Sequence, residues 1–115
     1  MKEARRGTLV LVGTPLGNRG DLSPRAREAI ERADLLLCED TRSPLRLLGE
    51  GAELPPRISC FVANEVERVA LLLGHLADGK VVAYVSEAGL PVWSDPGLKL
   101  VQAAVEAGYE VDVVP

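Results

Sequence analysis

Residues 8–38 read TLVLVGTPLGNRGDLSPRAREAIERADLLLC, and their pattern of apolar and polar residues indicates the fold class. The short apolar run Thr8–Gly13 predicts a buried strand that ends at glycine and proline. Ser23–Ala33 predicts a helix, because its serine can cap the helix and the proline after it suits the first helical position. Leu35–Cys38 is a second apolar run and predicts a second strand. A strand, a helix and a strand in this order predict a βαβ unit with parallel strands.

The same alternation continues to the end of the chain. Asn64 can cap the second predicted helix, Asn64–Leu76, and Glu67 completes a box-like arrangement with it. Gly79 and Gly108 are expected to end the second and third helices. The sequence therefore predicts an α/β fold with a mostly parallel five-stranded sheet and helices on both faces. The further predicted elements are a weaker strand Ile58–Val62, a helix Asn64–Leu76, a strand Lys80–Val85, a helix starting at Ser94-Asp95-Pro96 and a strand Glu110–Val114.

Helical spacing of the apolar residues predicts which face of each helix packs on the sheet. The first helix has a narrow stripe of Ala26, Ala29, Ile30 and Ala33. For the second helix the expected core residues are Val66, Val69, Ala70, Leu73 and Leu76 or Ala77. In the third helix the apolar residues are Leu98, Leu100, Val101, Ala104 and Val105.

Composition indicates one soluble globular domain. The 115 residues are 47% hydrophobic and 26% charged, and only 3% are aromatic, so Leu, Val, Ile and Ala must form the core. The net charge of -4 argues against RNA binding by this domain alone, because nucleic-acid-binding proteins usually present basic surfaces. A basic partner domain could still do so.

Cysteine and histidine usage argues against a metal site. Cys38 and Cys60 lie in apolar runs, which favours buried thiols over a disulfide or metal pair. With His75 the single histidine, no zinc ligand set is expected. The apolar run near the amino terminus is too short for a signal peptide or a spanning helix, so we expect a cytoplasmic location.

Four polar or glycine-rich segments follow the first four predicted strands. In open α/β sheets, ligands bind outside the carboxyl ends of the strands, so these segments predict a site on one rim. The segments are GTPLGNRGD (Gly13–Asp21), EDTR (Glu39–Arg42), ANE (Ala63–Glu65) and SEAGLPVWSDPG (Ser86–Gly97).

Each segment also has a purely structural interpretation. GTPLGNRGD matches neither GxGxxG nor a P-loop; its glycines allow close approach of a ligand or simply a tight turn. In EDTR, Asp40 could act as a base and Arg42 could hold a phosphate, or the segment is a salt-bridged loop with Thr41 as a helix cap. In SEAGLPVWSDPG, small residues could expose backbone to a ligand, or SDPG only starts a helix and Trp93 only packs in the core.

These segments, in this order, resemble the ribosomal RNA small-subunit methyltransferase I branch of the tetrapyrrole methylases. The matching stretches are TPLGNRGDLSPRA (Thr14–Ala26), EDTR, NE (Asn64-Glu65) and SEAGLPVWSDPG. The resemblance runs from about Gly7 to Pro115. Two places depart from the family pattern: SEAGLP stands where SDAGTP is usual, and Phe61 and Ala63 stand where the family has histidines before NE.

The resemblance implies a two-domain, homodimeric enzyme that binds S-adenosylmethionine (SAM) between its domains. Residues 1–115 would be the amino-terminal domain, with the carboxyl-terminal domain absent from this chain. The cofactor cleft would be lined by Pro15, Leu16 and Gly17 on one side and by Ser86, Glu87, Ala88, Gly89 and Pro91 on the other. The substrate side would hold Asn18, Asp21, Asp40, Arg42 and Asn64.

The expected reaction is 2'-O-methylation of a cytidine ribose in small-subunit (16S) ribosomal RNA. Asp40 is the first candidate for the group that accepts or orients the hydroxyl proton, and Glu39 is the second. Arg42 and Arg19 could anchor a flanking phosphate, and no metal is needed. The alternatives are C-methylation of a porphyrin or corrin precursor, and a ligand-binding α/β module without catalytic activity.

Overall fold

A computed structural model describes residues 7–13, 23–38, 54–60, 64–85 and 97–114. The predicted alternation of strands and helices is confirmed within these ranges. The elements are β1 (Thr8–Val12), α1 (Pro24–Arg32), β2 (Leu35–Cys38), β3 (Arg57–Ser59), α2 (Glu65–Ala77), β4 (Val81–Val85), α3 (Gly97–Glu106) and β5 (Glu110–Val114).

The strands form one five-stranded sheet in the order β3-β2-β4-β1-β5, and every pairing is parallel. The predicted α/β fold is thus confirmed. Among the described strands β3 pairs with β2 alone; it begins one residue before the predicted Ile58–Val62 and ends at Ser59, which pairs with Cys38. Residues 61–63 lie outside the described ranges.

Alternate side chains of the strands face two separate core layers. Leu9 and Leu11 of β1 pack in the layer covered by α2 and α3, whereas Val10 and Val12 pack in the layer covered by α1. β1, β2 and β4 are almost completely buried, as expected for parallel strands with helices on both faces. The prediction of helices on both faces is confirmed.

The first helix follows its prediction closely. The Ser23 hydroxyl accepts a hydrogen bond from the backbone N–H of Ala26 at 3.0 Å, which caps the helix that Pro24 begins. All four residues of the predicted stripe lie in the α1 core layer, with Ala26 and Ile30 fully buried.

The predicted core face of α2 is partly wrong. Val66 is 78% exposed and Ala70 is also exposed, whereas Val69 packs against the core and Leu76 is buried, as predicted. The buried positions are Glu65, Leu72 and Leu76. The helix is apolar on two adjacent faces, and the sheet contacts only one of them.

The predicted caps of α2 and the apolar face of α3 also differ in detail. Asn64 makes no capping hydrogen bond through its side chain, whose amide nitrogen instead donates to the Ser59 carbonyl at 3.3 Å. In α3, Leu100 and Ala104 are buried, but Leu98 and Val105 are 43% and 58% exposed. The predicted helix ends are confirmed: Gly79 and Gly108 have φ of 79° and 85°, a conformation that favours glycine.

Cys38 and Cys60 are buried thiols, as predicted. They lie on neighbouring strand ends, with the N–H of Cys60 donating to the Cys38 carbonyl at 2.8 Å. Their side chains belong to opposite core layers, an arrangement that opposes a disulfide. Over the described ranges, no group of His, Cys, Asp and Glu could hold a metal ion. No helix in those ranges is long and apolar enough to cross a membrane.

Candidate functional site

The carboxyl ends of all five strands lie in one row. Cα pairing runs from Ser59 to Cys38, from Cys38 to Val85, from Val85 to Val12 and from Val12 to Val114. Neighbouring strands in a sheet are about 4.8 Å apart, so chain segments that leave this row start close together. The row is the edge at which the sequence predicts a ligand site.

The sheet has a topological switch point between β1 and β4. After β1 the chain reaches α1 on one face, whereas after β4 it reaches α3 on the opposite face. β1 and β4 are hydrogen-bonded neighbours. When connections from adjacent parallel strands leave to opposite faces, a crevice opens between the strand ends, and this is the usual ligand position in such sheets.

Both predicted walls of the cofactor cleft follow the two strands that border this crevice. Residues 14–22 follow β1 and residues 86–96 follow β4, after Val12 and Val85, which pair directly. The predicted cofactor residues Pro15, Leu16, Gly17, Ser86, Glu87, Ala88, Gly89 and Pro91 all lie outside the described ranges, so their contacts with a ligand stay predictions.

The EDTR segment follows the strand on the other side of β4. Cys38, its predecessor in the chain, pairs with Val85 at the same edge. The remaining predicted substrate and catalytic residues except Asn64 also lie outside the described ranges: Asn18, Arg19, Asp21, Glu39, Asp40 and Arg42.

Asn64 is the predicted site residue that the structure describes. It is half-buried, and it lies at the start of α2, just beyond the end of β3. The Ser59 carbonyl accepts hydrogen bonds from both the Asn64 amide nitrogen, at 3.3 Å, and Arg68 Nε, at 2.6 Å. These bonds connect α2 to the carboxyl end of β3, and a role of Asn64 toward substrate stays a prediction.

Sequence reasoning missed an ion pair at the same end of the sheet. The Nζ atom of Lys99, in the first turn of α3, lies 3.2 Å from Oε1 of Glu65, the first residue of α2. The Glu65 side chain is 10% exposed and that of Lys99 is 54% exposed. Glu65 precedes the core-facing positions Val69, Leu72 and Leu76 at helical spacing, and this was the available sequence signal.

Comparison with known proteins agrees with this architecture. Residues 8–115 match the family model of the tetrapyrrole (corrin/porphyrin) methylases. The chain also superimposes on the crystal structure of uroporphyrin-III-C-methyltransferase from Thermus thermophilus with a TM-score of 0.71. That match covers 96% of this chain and 47% of the other at 22% identity, so it shows a shared fold.

Curated relatives are more similar in sequence. The ribosomal RNA small subunit methyltransferase I of Thermotoga maritima is 44% identical over 109 residues, which are 95% of this chain and 49% of the relative. The protein of the same name from Micromonospora olivasterospora is 46% identical over 114 residues, 98% of this chain and 36% of the relative. The chain thus spans half or less of the length of these relatives, and through the family model it belongs to the tetrapyrrole (corrin/porphyrin) methylase family.

Proposed function

We propose that this chain is the amino-terminal half of a two-domain, SAM-dependent methyltransferase. The proposed reaction is 2'-O-methylation of a cytidine ribose in small-subunit (16S) ribosomal RNA. Relatives that cover nearly all of this chain carry the name ribosomal RNA small subunit methyltransferase I. The proposal concerns the full-length protein, since the chain spans at most about half of those relatives.

One observation carries the cofactor site: the direct pairing of Val12 with Val85 at the switch point. It starts the two chain segments that follow these strands, residues 14–22 and 86–96, side by side. Val12 and Val85 are both buried in the core layer covered by α1, so the crevice starts directly above a packed, apolar part of the sheet. Glycines in both segments would let the backbone approach the ligand closely.

When bound, SAM supplies a methyl group on a positively charged sulfur, and the sulfur keeps the electron pair of the broken carbon–sulfur bond. The protein must then align the attacking oxygen with that methyl group. Because a ribose hydroxyl is a weak nucleophile, the proposed role of Asp40 is to accept or orient its proton, with Glu39 as second candidate. Arg42 and Arg19 would hold a flanking phosphate and fix the register of the RNA.

The acidic net charge of this chain limits how the RNA can be bound. With a charge of -4, these 115 residues alone offer a poor surface for a polyanion. We therefore propose that most contacts with the RNA come from basic surfaces of the carboxyl-terminal domain and of a second subunit in a homodimer. We also propose a cytoplasmic location, because the proposed substrate is part of the ribosome.

Replacement of the proposed base is the direct test. An Asp40→Asn variant of the full-length protein should bind SAM as tightly as the wild type in calorimetry. Its transfer of labelled methyl groups to purified small subunits should fall by roughly 10²–10⁴-fold, the usual contribution of a general base. Unchanged transfer would remove Asp40 from the mechanism.

The choice of acceptor tests the substrate class. Wild-type protein should transfer labelled methyl groups to small ribosomal subunits and not to a porphyrin or corrin precursor. Labelling of the tetrapyrrole alone would replace the proposed function with C-methylation. Binding of SAM without transfer to either acceptor would indicate a ligand-binding module.

A further inference from the structure

Glu65 is the one charged residue in the described ranges that is buried, with 8% of its surface exposed. Its Oε1 atom pairs with Lys99 Nζ at 3.2 Å. Its Oε2 atom is buried and has no hydrogen-bond partner within those ranges. Within the described part of the chain, one of the two carboxylate oxygens thus has a partner, in a position that water barely reaches.

Such an arrangement contributes little to stability. Removing a carboxylate from water is costly, and pairing the buried Glu65 carboxylate with a half-exposed lysine recovers only part of that cost. An apolar residue at position 65 would extend the core-facing row of Val69, Leu72 and Leu76 at lower cost. The pair is better explained by the geometry that it fixes.

The pair joins the beginnings of two helices at the edge of the sheet where the strands have their carboxyl ends and where the ligand site is proposed. Glu65 is the first residue of α2, which follows β3, and Lys99 is the third residue of α3, which follows β4. Gly97, the first residue of α3, comes directly after residues 86–96 and is buried. A fixed start of α3 therefore fixes the point to which that segment must connect.

We propose that Glu65 and Lys99 are a positioning pair for the methyl-donor site. The pair sets the start of α3, and through it the end of the segment that forms one proposed wall of the cofactor cleft. Neither residue needs to touch the ligand. This inference rests on the proposed function, since it assumes that SAM binds beside residues 86–96.

The test is a double-mutant cycle in the full-length protein. Glu65→Gln and Lys99→Met should each weaken SAM binding about tenfold in calorimetry, and the double variant should be no weaker than the worse single variant. Lys99→Arg should keep affinity within about threefold of the wild type, because it restores the charge. In kinetics, KM for SAM should rise while KM for small subunits stays constant.

Exposed residues of the same type provide matched controls. Glu67→Gln changes an exposed carboxylate in the same first turn of α2, and Lys80→Met removes an exposed lysine. Both should bind SAM as the wild type does. Because its side chain is about half exposed, Lys99 can be changed even if Glu65→Gln prevents folding, and Lys99→Met then decides the result.

Two results would overturn the inference, and they are distinguishable. If the single variants lower the melting temperature but bind SAM normally, the pair is structural only and the proposed function stands. If the wild type itself fails to bind SAM, the proposed function fails together with the inference.

Discussion

Two glycines of the described chain have opposite surroundings at the residue scale. A Cβ atom on Gly7 would lie 2.5 Å from Leu76 Cα and 2.5 Å from the Lys80 carbonyl oxygen. A Cβ atom on Gly74 would meet nothing within 4 Å. The same substitution to alanine should therefore change stability in opposite directions.

Gly7→Ala should destabilise the protein by about 1–3 kcal/mol, as overpacking of a tight contact does. Both obstructing atoms belong to the backbone, which cannot move aside as a flexible side chain can. The Gly7 N–H also donates to the Leu76 carbonyl at 3.0 Å, so a shift of the chain would lengthen that bond. Urea unfolding of the full-length variant would measure the loss, and an unchanged midpoint would contradict the close approach.

Gly74→Ala should instead stabilise the protein by roughly 0.5–1 kcal/mol. Gly74 lies inside α2 on its exposed side, where alanine restricts the unfolded chain and favours the helix. The same urea experiment measures the gain. A loss of stability would mean that the surface over Gly74 is covered in the full-length protein.

At the scale of single elements, α1 and α2 differ in how well the sequence predicts their packing. α1 has one apolar stripe between charged residues, so its core face was predicted correctly. α2 has apolar residues on two adjacent faces, and helical spacing alone cannot choose between them. The sheet selects the face with Leu72 and Leu76, which leaves Val66 exposed.

A pair of substitutions in α2 tests this choice of face. Leu72→Ala should cost about 2–5 kcal/mol, because Leu72 is completely buried in the layer between the sheet and the helices. Val66→Lys should change the unfolding free energy by less than about 0.5 kcal/mol, because Val66 is 78% exposed. Thermal unfolding of both variants measures the difference. A large loss from Val66→Lys would show that the exposed face is covered by another part of the full-length protein.

For the complete sheet, the sequence predicts the helices, the strands and the edge that carries the proposed site. It does not predict which strands and helices lie next to each other. Alternating strands and helices imply parallel strands, and these place the polar segments on one edge. The strand order cannot be read from that alternation, because it depends on how far each helix carries the chain across the sheet. The pairing of Glu65 with Lys99 is hidden for the same reason: α2 and α3 become neighbours only through the fold.

The topology also predicts which edge of the molecule responds to ligand. If SAM binds in the crevice between β1 and β4, it should suppress local opening of the segments that border the crevice. Near 100 times its Kd, the ligand adds about 2.7 kcal/mol to states that must release it before opening, which slows exchange up to about 100-fold.

Hydrogen exchange of the full-length protein with saturating SAM measures this response. Peptides covering residues 13–23 and 85–97 should exchange more slowly with ligand than without it. The opposite edge of the sheet, where the strands begin (the amino edge), is the internal control. There the Val81 N–H donates to Asp34 Oδ2 and the Asp34 N–H donates to the Val81 carbonyl, both at 2.8 Å. Peptides around that pair should not change. Protection confined to the amino edge would place the ligand at the opposite end of the strands and would contradict binding at the switch point.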